Sequence, residues 1–387
     1  MKSASLLFLT ISLIGFLSAH DCGHDHLQRH INVPEEFANG PVRKKPKTNE
    51  RVMQTSTQRP FKLVIDYGDN PDSNGNHEHE AEQRYYQDIV FPGVADYYSR
   101  VMKKQNPSSF GDNIPPFSST WCNWVTVPNK QRTQSTNADM LVLLELKTQV
   151  PYAGAAAGCL LDTNGDYRPY VCHITINLDY VSFNPLNRIK DHYLLLHEIG
   201  HCLGFSSDDY QFYPNNQNNE MISNKTVNMN GTSYDAYYFT SPTLLQTIRD
   251  HANDQSIDGV QIETQGGDGS AGSHFEKLHY NNEAMVAQLT GYESSSKFWL
   301  ALLKDMGWYD VDMGFAEPFE WGRDEGTDFY NNANCNGSNA NEYCSTAGAY
   351  NCNQSFHGKT RCRTTSFSDN CLMKSLFSNK SGVGVRF

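Results

Sequence analysis

The sequence predicts an α+β domain followed by a Cys-rich C-terminal region, and three observations carry that prediction. Short apolar segments with strand-like patterning occur at Phe61–Tyr67, Met140–Leu146 and His173–Leu178. Residues 187–203 read as one amphipathic helix. Five of the ten cysteines (Cys335, Cys344, Cys352, Cys362 and Cys371) crowd the C-terminal end, as in a region stapled by disulfides in an oxidising compartment.

The chain has 387 residues, room for two or three domains. With 38% hydrophobic and 19% charged residues it reads as globular, not fibrous or disordered. A formal charge of −12 argues against a nucleic-acid partner, because neutralising phosphates needs clustered Lys and Arg.

The first residues read as a secretory signal (1–19): Lys2, an apolar run from Leu6 to Leu17, and small residues at Ser18-Ala19. That run is short for a bilayer span, and no other stretch nears the roughly 20 apolar residues a spanning helix needs. The reading is therefore a secreted, extracellular or cell-surface protein without a stable transmembrane anchor. Residues 20–59 are polar, lack sustained periodicity and contain the basic run Arg43-Lys44-Lys45-Pro46-Lys47, so they read as a pro-segment and linker. Acceptor triplets begin at Asn224, Asn230, Asn336, Asn353 and Asn379, in keeping with a glycoprotein.

Order is expected from residue 60, with a helix somewhere in 84–104 around Tyr85, Ile89, Val90 and Val94. A strand pair flanks Asp162-Thr-Asn-Gly-Asp166. That segment superficially resembles a calcium loop, but it has Tyr167 where Gly is needed and His173 where Glu is needed, so it reads as a tight turn. After the helix at 187–203, residues 205–273 are rich in Asn, Gly and Ser, and order resumes near Phe298–Leu303. The expected divisions are an N-terminal part (60–204), a central part (205–310) and a Cys-rich end (311–387).

The chemistry concentrates in His197-Glu198-Ile199-Gly200-His201. On a helix, residues i and i+4 share a face, so two imidazoles can bind one tetrahedral zinc ion. Glu198, next to the first ligand, is placed to take the proton of a metal-bound water, whose pKa zinc lowers to about 7. Such a centre needs a third protein ligand. Gly204 follows His201 as in the metzincin pattern, yet the position where that pattern carries its third His is Ser207.

From this point the chain resembles the leishmanolysin family, metzincins with a long insertion before the third His. The resemblance rests on Gly272-Ser273-His274-Phe275-Glu276, on Met285 eleven residues beyond His274, on Trp308-Tyr309, and on Ala316-Glu-Pro-Phe-Glu-Trp-Gly322. It implies one zinc ion per chain on His197, His201 and His274, Glu198 as general base, and Met285 as a structural Met-turn residue. It also implies a mixed sheet over the active-site helix, and protein or peptide substrates. His279 and Glu220 are the competing third-ligand positions; His173 and His192 read as fold or surface residues. The Met-turn departs from the family's usual sequence, reading Glu283-Ala284-Met285-Val286-Ala287.

His20-Asp21-Cys22-Gly23-His24-Asp25 resembles the family's pro-segment motif, in which the cysteine thiolate caps zinc and keeps a zymogen latent. Cys202 reads as a buried thiol. The other eight mature cysteines would then form four disulfides, at least one of them joining the C-terminal region to Cys122, Cys159 or Cys172. The expected function is a latent zinc endopeptidase; the alternative is a catalytically silent adhesion protein on the same fold.

Overall fold

The computed structural model describes residues 20–21, 59–67, 79–118, 122, 125–181, 183, 188–216, 219–229, 232–267, 270–331, 342–352, 359–369 and 371–376. The signal, Cys22, the basic run and the acceptor asparagines other than Asn224 lie outside them. A two-residue strand β1 (His20–Asp21) comes first. The next described strand is β2 (Leu63–Tyr67).

The helix expected within 84–104 is α1 (Glu80–Tyr85), continuing through a π-helical turn at Tyr86–Val90 into α2 (Phe91–Val101). Val90, Val94 and Tyr98 are buried, whereas Ile89 is 45% exposed and takes no part in the core. Strand β3 (Met102–Lys104) follows. Then come β4 (Met140–Lys147), β5 (Gly154–Leu161) and β6 (Pro169–Asn177).

Four strands make one mixed sheet in the order β2-β4-β6-β5. β2, β4 and β6 are parallel, and β5 runs antiparallel to β6. Parallel strands need both faces covered, and accordingly Met140–Leu144 of β4 and all of β6, including its polar His173, Thr175 and Asn177, are buried. On one face, Val142, Leu144, Ile174 and Ile176 join a core with Leu195, Leu196 and Ile199 of α3 (Arg188–Cys202). On the other, Leu141, Leu143 and Val171 pack with Ile114, Phe117 and Val127. The Asp162–Asp166 segment is the tight turn between β5 and β6, with Gly165 N and Tyr167 N both donating to Asp162 O.

The Asn-, Gly- and Ser-rich stretch is more ordered than its composition suggests. β7 (Ile222–Met229) and β8 (Thr232–Phe239) form a hairpin in register from Ile222↔Phe239 to Met229↔Thr232. The residues between them are Asn230-Gly231, the pair favoured in two-residue hairpin turns. α4 (Pro242–Ala252) and β9 (Val260–Gln261) lead to α5 (Lys277–Tyr280), β10 (Gln288–Leu289) and α6 (Lys297–Met306). β11 (Tyr309–Val311) returns to pair with β3. The Cys-rich end contains a small sheet, β12 (Tyr350–Cys352), β13 (Lys359–Arg363) and β14 (Met373–Leu376).

The disulfides correct the expected pairing. Cys202 is bonded to Cys172, joining the end of α3 to β6; Cys122 is bonded to Cys159 and Cys344 to Cys362. The expectation failed because docking α3 under the sheet brings Cys202 beside β6, a proximity that spacing along the chain does not reveal. With Cys202 paired, the upstream cysteines number four, so no bridge to the C-terminal region is required. Cys371 is disulfide-bonded and Cys352 is a free, exposed thiol.

Cys172–Cys202 closes a loop of 30 residues. On loop entropy alone such a bridge contributes about 3–4 kcal/mol by restricting the unfolded chain. A Cys172→Ala/Cys202→Ala double variant should lose about that much in denaturant unfolding; an unchanged midpoint would show that the bridge is absent from the folded protein.

Candidate metal centre

Helix α3 buries Leu194, Leu195, Leu196 and Ile199 and presents His197 and His201 one turn apart. Gly204 ends this run with φ +116°, a region L side chains rarely adopt; a Cβ there would also lie 2.5 Å from Trp308 Cζ3. The sharp exit lets Phe205 O turn back and accept a hydrogen bond from His201 Nδ1 at 2.8 Å.

His274 arrives from 73 residues beyond His201, on a segment bonded to β9 and to the Met285 turn. Glu263 N donates to His274 O (2.9 Å), Glu276 N to Gln261 O (3.1 Å) and Phe275 N to Met285 O (3.0 Å). The Glu263 carboxylate straps the same region, accepting from Thr264 N, Gln265 N and Lys277 N. These backbone bonds leave the His274 imidazole directed at the helix.

The three Nε2 atoms form a near-equilateral triangle: 3.1 Å for His197–His201, 3.2 Å for His201–His274 and 3.3 Å for His274–His197. Each Nδ1 donates to a backbone carbonyl, His197 to Ala284 O (2.7 Å), His201 to Phe205 O (2.8 Å) and His274 to Ser270 O (2.8 Å). A neutral imidazole has one N–H, so all three Nε2 atoms carry lone pairs and cannot hydrogen-bond one another. Burial favours the neutral form and pushes the His197 pKa down to about 4, against the opposing pull of its bond to Ala284 O.

Three converging lone pairs call for a cation at their centre. A tetrahedral zinc with Zn–N about 2.0–2.1 Å separates its ligand nitrogens by about 3.3–3.4 Å, close to the spacing found. Among the described residues this is the one group of three or more His, Cys, Asp or Glu side chains arranged to hold a metal ion.

Met285 lies against Gly200, directly under the helix turn between the two histidines. The preceding Ala284 supplies the carbonyl that orients His197, so the turn contacts the cluster through its backbone. Its shape depends on Glu283, which had no assigned role in the sequence. The buried Glu283 carboxylate accepts from Met285 N and from Ser296 Oγ (3.2 Å), and burial pushes its pKa up to about 8. A buried acid between two loops leaves no periodic signal to find it by.

Glu198 is fully buried beside β5, where a Cβ on Gly154 would collide with its carboxylate. Glu220 is exposed and outside the cluster. His173 lies 3.2 Å from Glu145 Oε2, and His192 sits against Gly93. His279 is also outside the cluster; it is buried near Phe329, Tyr330 and Tyr280, and neither ring nitrogen has a hydrogen-bond partner.

A mixed sheet over a helix bearing two histidines, with a third from a later segment above a methionine turn, defines a metallopeptidase-type fold and site. Residues 100–376 match the family model described as leishmanolysin, and the chain belongs to the leishmanolysin family. It is 28% identical over 228 residues to a leishmanolysin-like peptidase of Drosophila melanogaster, covering 50% of this chain and 33% of that protein. It is 29% identical over 140 residues to leishmanolysin of Leishmania major, covering 36% and 22%. Against the ciliated left-right organizer metallopeptidase of Xenopus laevis it is 27% identical over 221 residues, covering 56% and 30%. The chain thus spans a third or less of the length of these relatives. No described helix is long and apolar enough to cross a membrane.

The environment of His279 has a consequence for stability. Burial lowers its pKa to about 3 from 6.5. Above pH 6.5 both folded and unfolded states are neutral there and the residue is indifferent. Between 6.5 and about 3 the unfolded state binds the proton and the folded state does not, so stability falls as pH falls. His279→Leu should therefore flatten the decline in Tm between pH 6.5 and 4.5; a decline as steep as in the parent would mean that other groups cause it.

Proposed function

We propose that this protein is a secreted zinc-dependent endopeptidase made as a latent zymogen. The observation that carries the proposal is the convergence of three buried Nε2 lone pairs with every Nδ1 committed to a carbonyl, beside a buried glutamate adjacent in sequence to the first of them. His197, His201 and His274 would hold the zinc, which supplies Lewis acidity toward a peptide carbonyl and toward the attacking water. Glu198 accepts the proton of that water and returns it to the leaving amine. Met285 and the Glu283-braced turn hold His197 in place through Ala284 O.

β5 is one of the two edge strands of the described sheet and lies beside Glu198. An extended peptide adding to that antiparallel edge would be held by main-chain hydrogen bonds, with its scissile bond over the glutamate. Such binding reads backbone more than side chains, which fits a protease of broad preference.

Latency rests on Cys22 acting as a thiolate zinc ligand. Support comes from the residues just before it: β1 pairs antiparallel with β10, His20 opposite Leu289 and Asp21 opposite Gln288, shortly after Met285. The chain ahead of Cys22 is thereby tied to the Met-turn segment. Arg59 binds the buried Asp139 with both terminal nitrogens, at 2.6 and 3.0 Å, so removal of the pro-segment cuts upstream of Arg59.

Glu198→Gln should keep one zinc per chain and lose about 10²–10⁴-fold in peptide turnover. His274→Ala should lose zinc, and Glu220→Ala should retain it. A Glu198→Gln protein that is zinc-loaded and fully active would overturn the mechanism, and a zinc-loaded parent that cleaves no peptide after processing would favour the adhesion reading.

Unprocessed Cys22→Ser should hydrolyse peptides while unprocessed parent does not, at equal zinc content, because a neutral hydroxyl is a far weaker zinc ligand than a thiolate. Equal latency in both would mean that the pro-segment blocks the cleft sterically.

A further inference from the structure

Of the five Asn-X-Ser/Thr triplets, the one whose asparagine is described begins at Asn224, on the outer strand of the β7–β8 hairpin. Asn224 is exposed, and the register sets it directly opposite Tyr237 of β8. Residues so paired share a face, with Cβ atoms about 4.5–5.5 Å apart. Tyr237 is 50% exposed, one of five large hydrophobic side chains left in solvent among the described residues. The next pair outward is polar, with Thr226 Oγ1 donating to Asp235 Oδ1 at 2.9 Å. The opposite face of the hairpin is closed by Lys225, whose Nζ lies 4.4 Å from the Tyr238 ring centre. Tyr237 is therefore an aromatic platform on the solvent face, beside an acceptor asparagine.

We propose that Asn224 carries an N-linked glycan whose first N-acetylhexosamine lies against the Tyr237 ring. The sugar comes from a diphosphate-activated oligosaccharide: Asn224 Nδ2 bonds to the anomeric carbon, and the C1–O bond to the diphosphate breaks. The diphosphate leaves with the electron pair and Nδ2 gives up one proton. Thr226 supplies the hydroxyl that the acceptor triplet requires two residues on. In the folded hairpin the C–H face of the sugar covers the exposed ring, removing apolar surface from water. The same attachment blunts β7, an edge strand of this sheet among the described residues, against pairing with another chain. The proposal rests on passage through the oxidising secretory route proposed above.

The test uses the full chain secreted from insect cells. Peptide N-glycosidase in heavy-oxygen water converts a glycosylated asparagine to labelled Asp, read by mass spectrometry of the peptide containing Asn224. Label at Asn224 is expected. So are non-additive Tm losses for Asn224→Gln and Tyr237→Ser, each alone costing about as much as both together. Unlabelled Asn224 in a chain whose disulfides have formed overturns the assignment and leaves the secretory reading standing. A chain with reduced cysteines and no labelled triplet overturns both. Labelled Asn224 with additive Tm losses overturns the packing of sugar on Tyr237.

Discussion

Three imidazoles can aim at one point only if each surrenders its other nitrogen to something rigid. Here that something is backbone: Ala284 O, Phe205 O and Ser270 O each hold one ring. The three carbonyls come from the Met285 turn, the exit of α3 and the approach to His274, so each segment must be in place for the lone pairs to meet. Outer hydrogen bonds of this kind set tautomer and orientation, which is half of what a metal site requires.

The surrounding architecture serves those carbonyls. Trp308 packs on Gly204 and maintains the sharp exit that presents Phe205 O. Glu283 binds the Met285 and Ser296 segments together and so fixes Ala284. Cys172–Cys202 fastens the last turn of α3 to the sheet, close to His201. Each device restrains backbone, because a small backbone shift would rotate an imidazole off the common point.

Much of this was legible in the sequence, for identifiable reasons. β4 was found because Met140–Leu144 is a continuous apolar run, β6 because it flanks the Asp162–Asp166 turn, and the helix because its two histidines stand four residues apart behind Leu194-Leu195-Leu196 and ahead of Gly204. His274 could be located through its neighbours Ser273, Phe275 and Glu276, and the structure brings it to the other two. The β7–β8 hairpin was missed because one face is solvent-exposed and filled with Asn, Thr and Asp, so composition read as loop. Cys202 was misassigned because its partner is set by docking of α3 on β6, a long-range event. Glu283 had no signal at all, since its partners are main-chain N–H groups and a serine in a loop 13 residues away.

The distances along the chain carry a further meaning. His197 depends on Ala284, 87 residues later, for its orientation and on His274, 77 residues later, to complete the cluster. A nascent or truncated chain that ends before residue 274 retains an unaltered HExxH helix, yet it has neither the third imidazole nor the carbonyl that steers the first. Counting such helices in fragmentary gene products would therefore overcount metal-competent proteins. Completing the cluster requires the far segment to close on the helix, which brings His274 with Ser270 O and Ala284 O to a helix that already has Phe205 O at its exit.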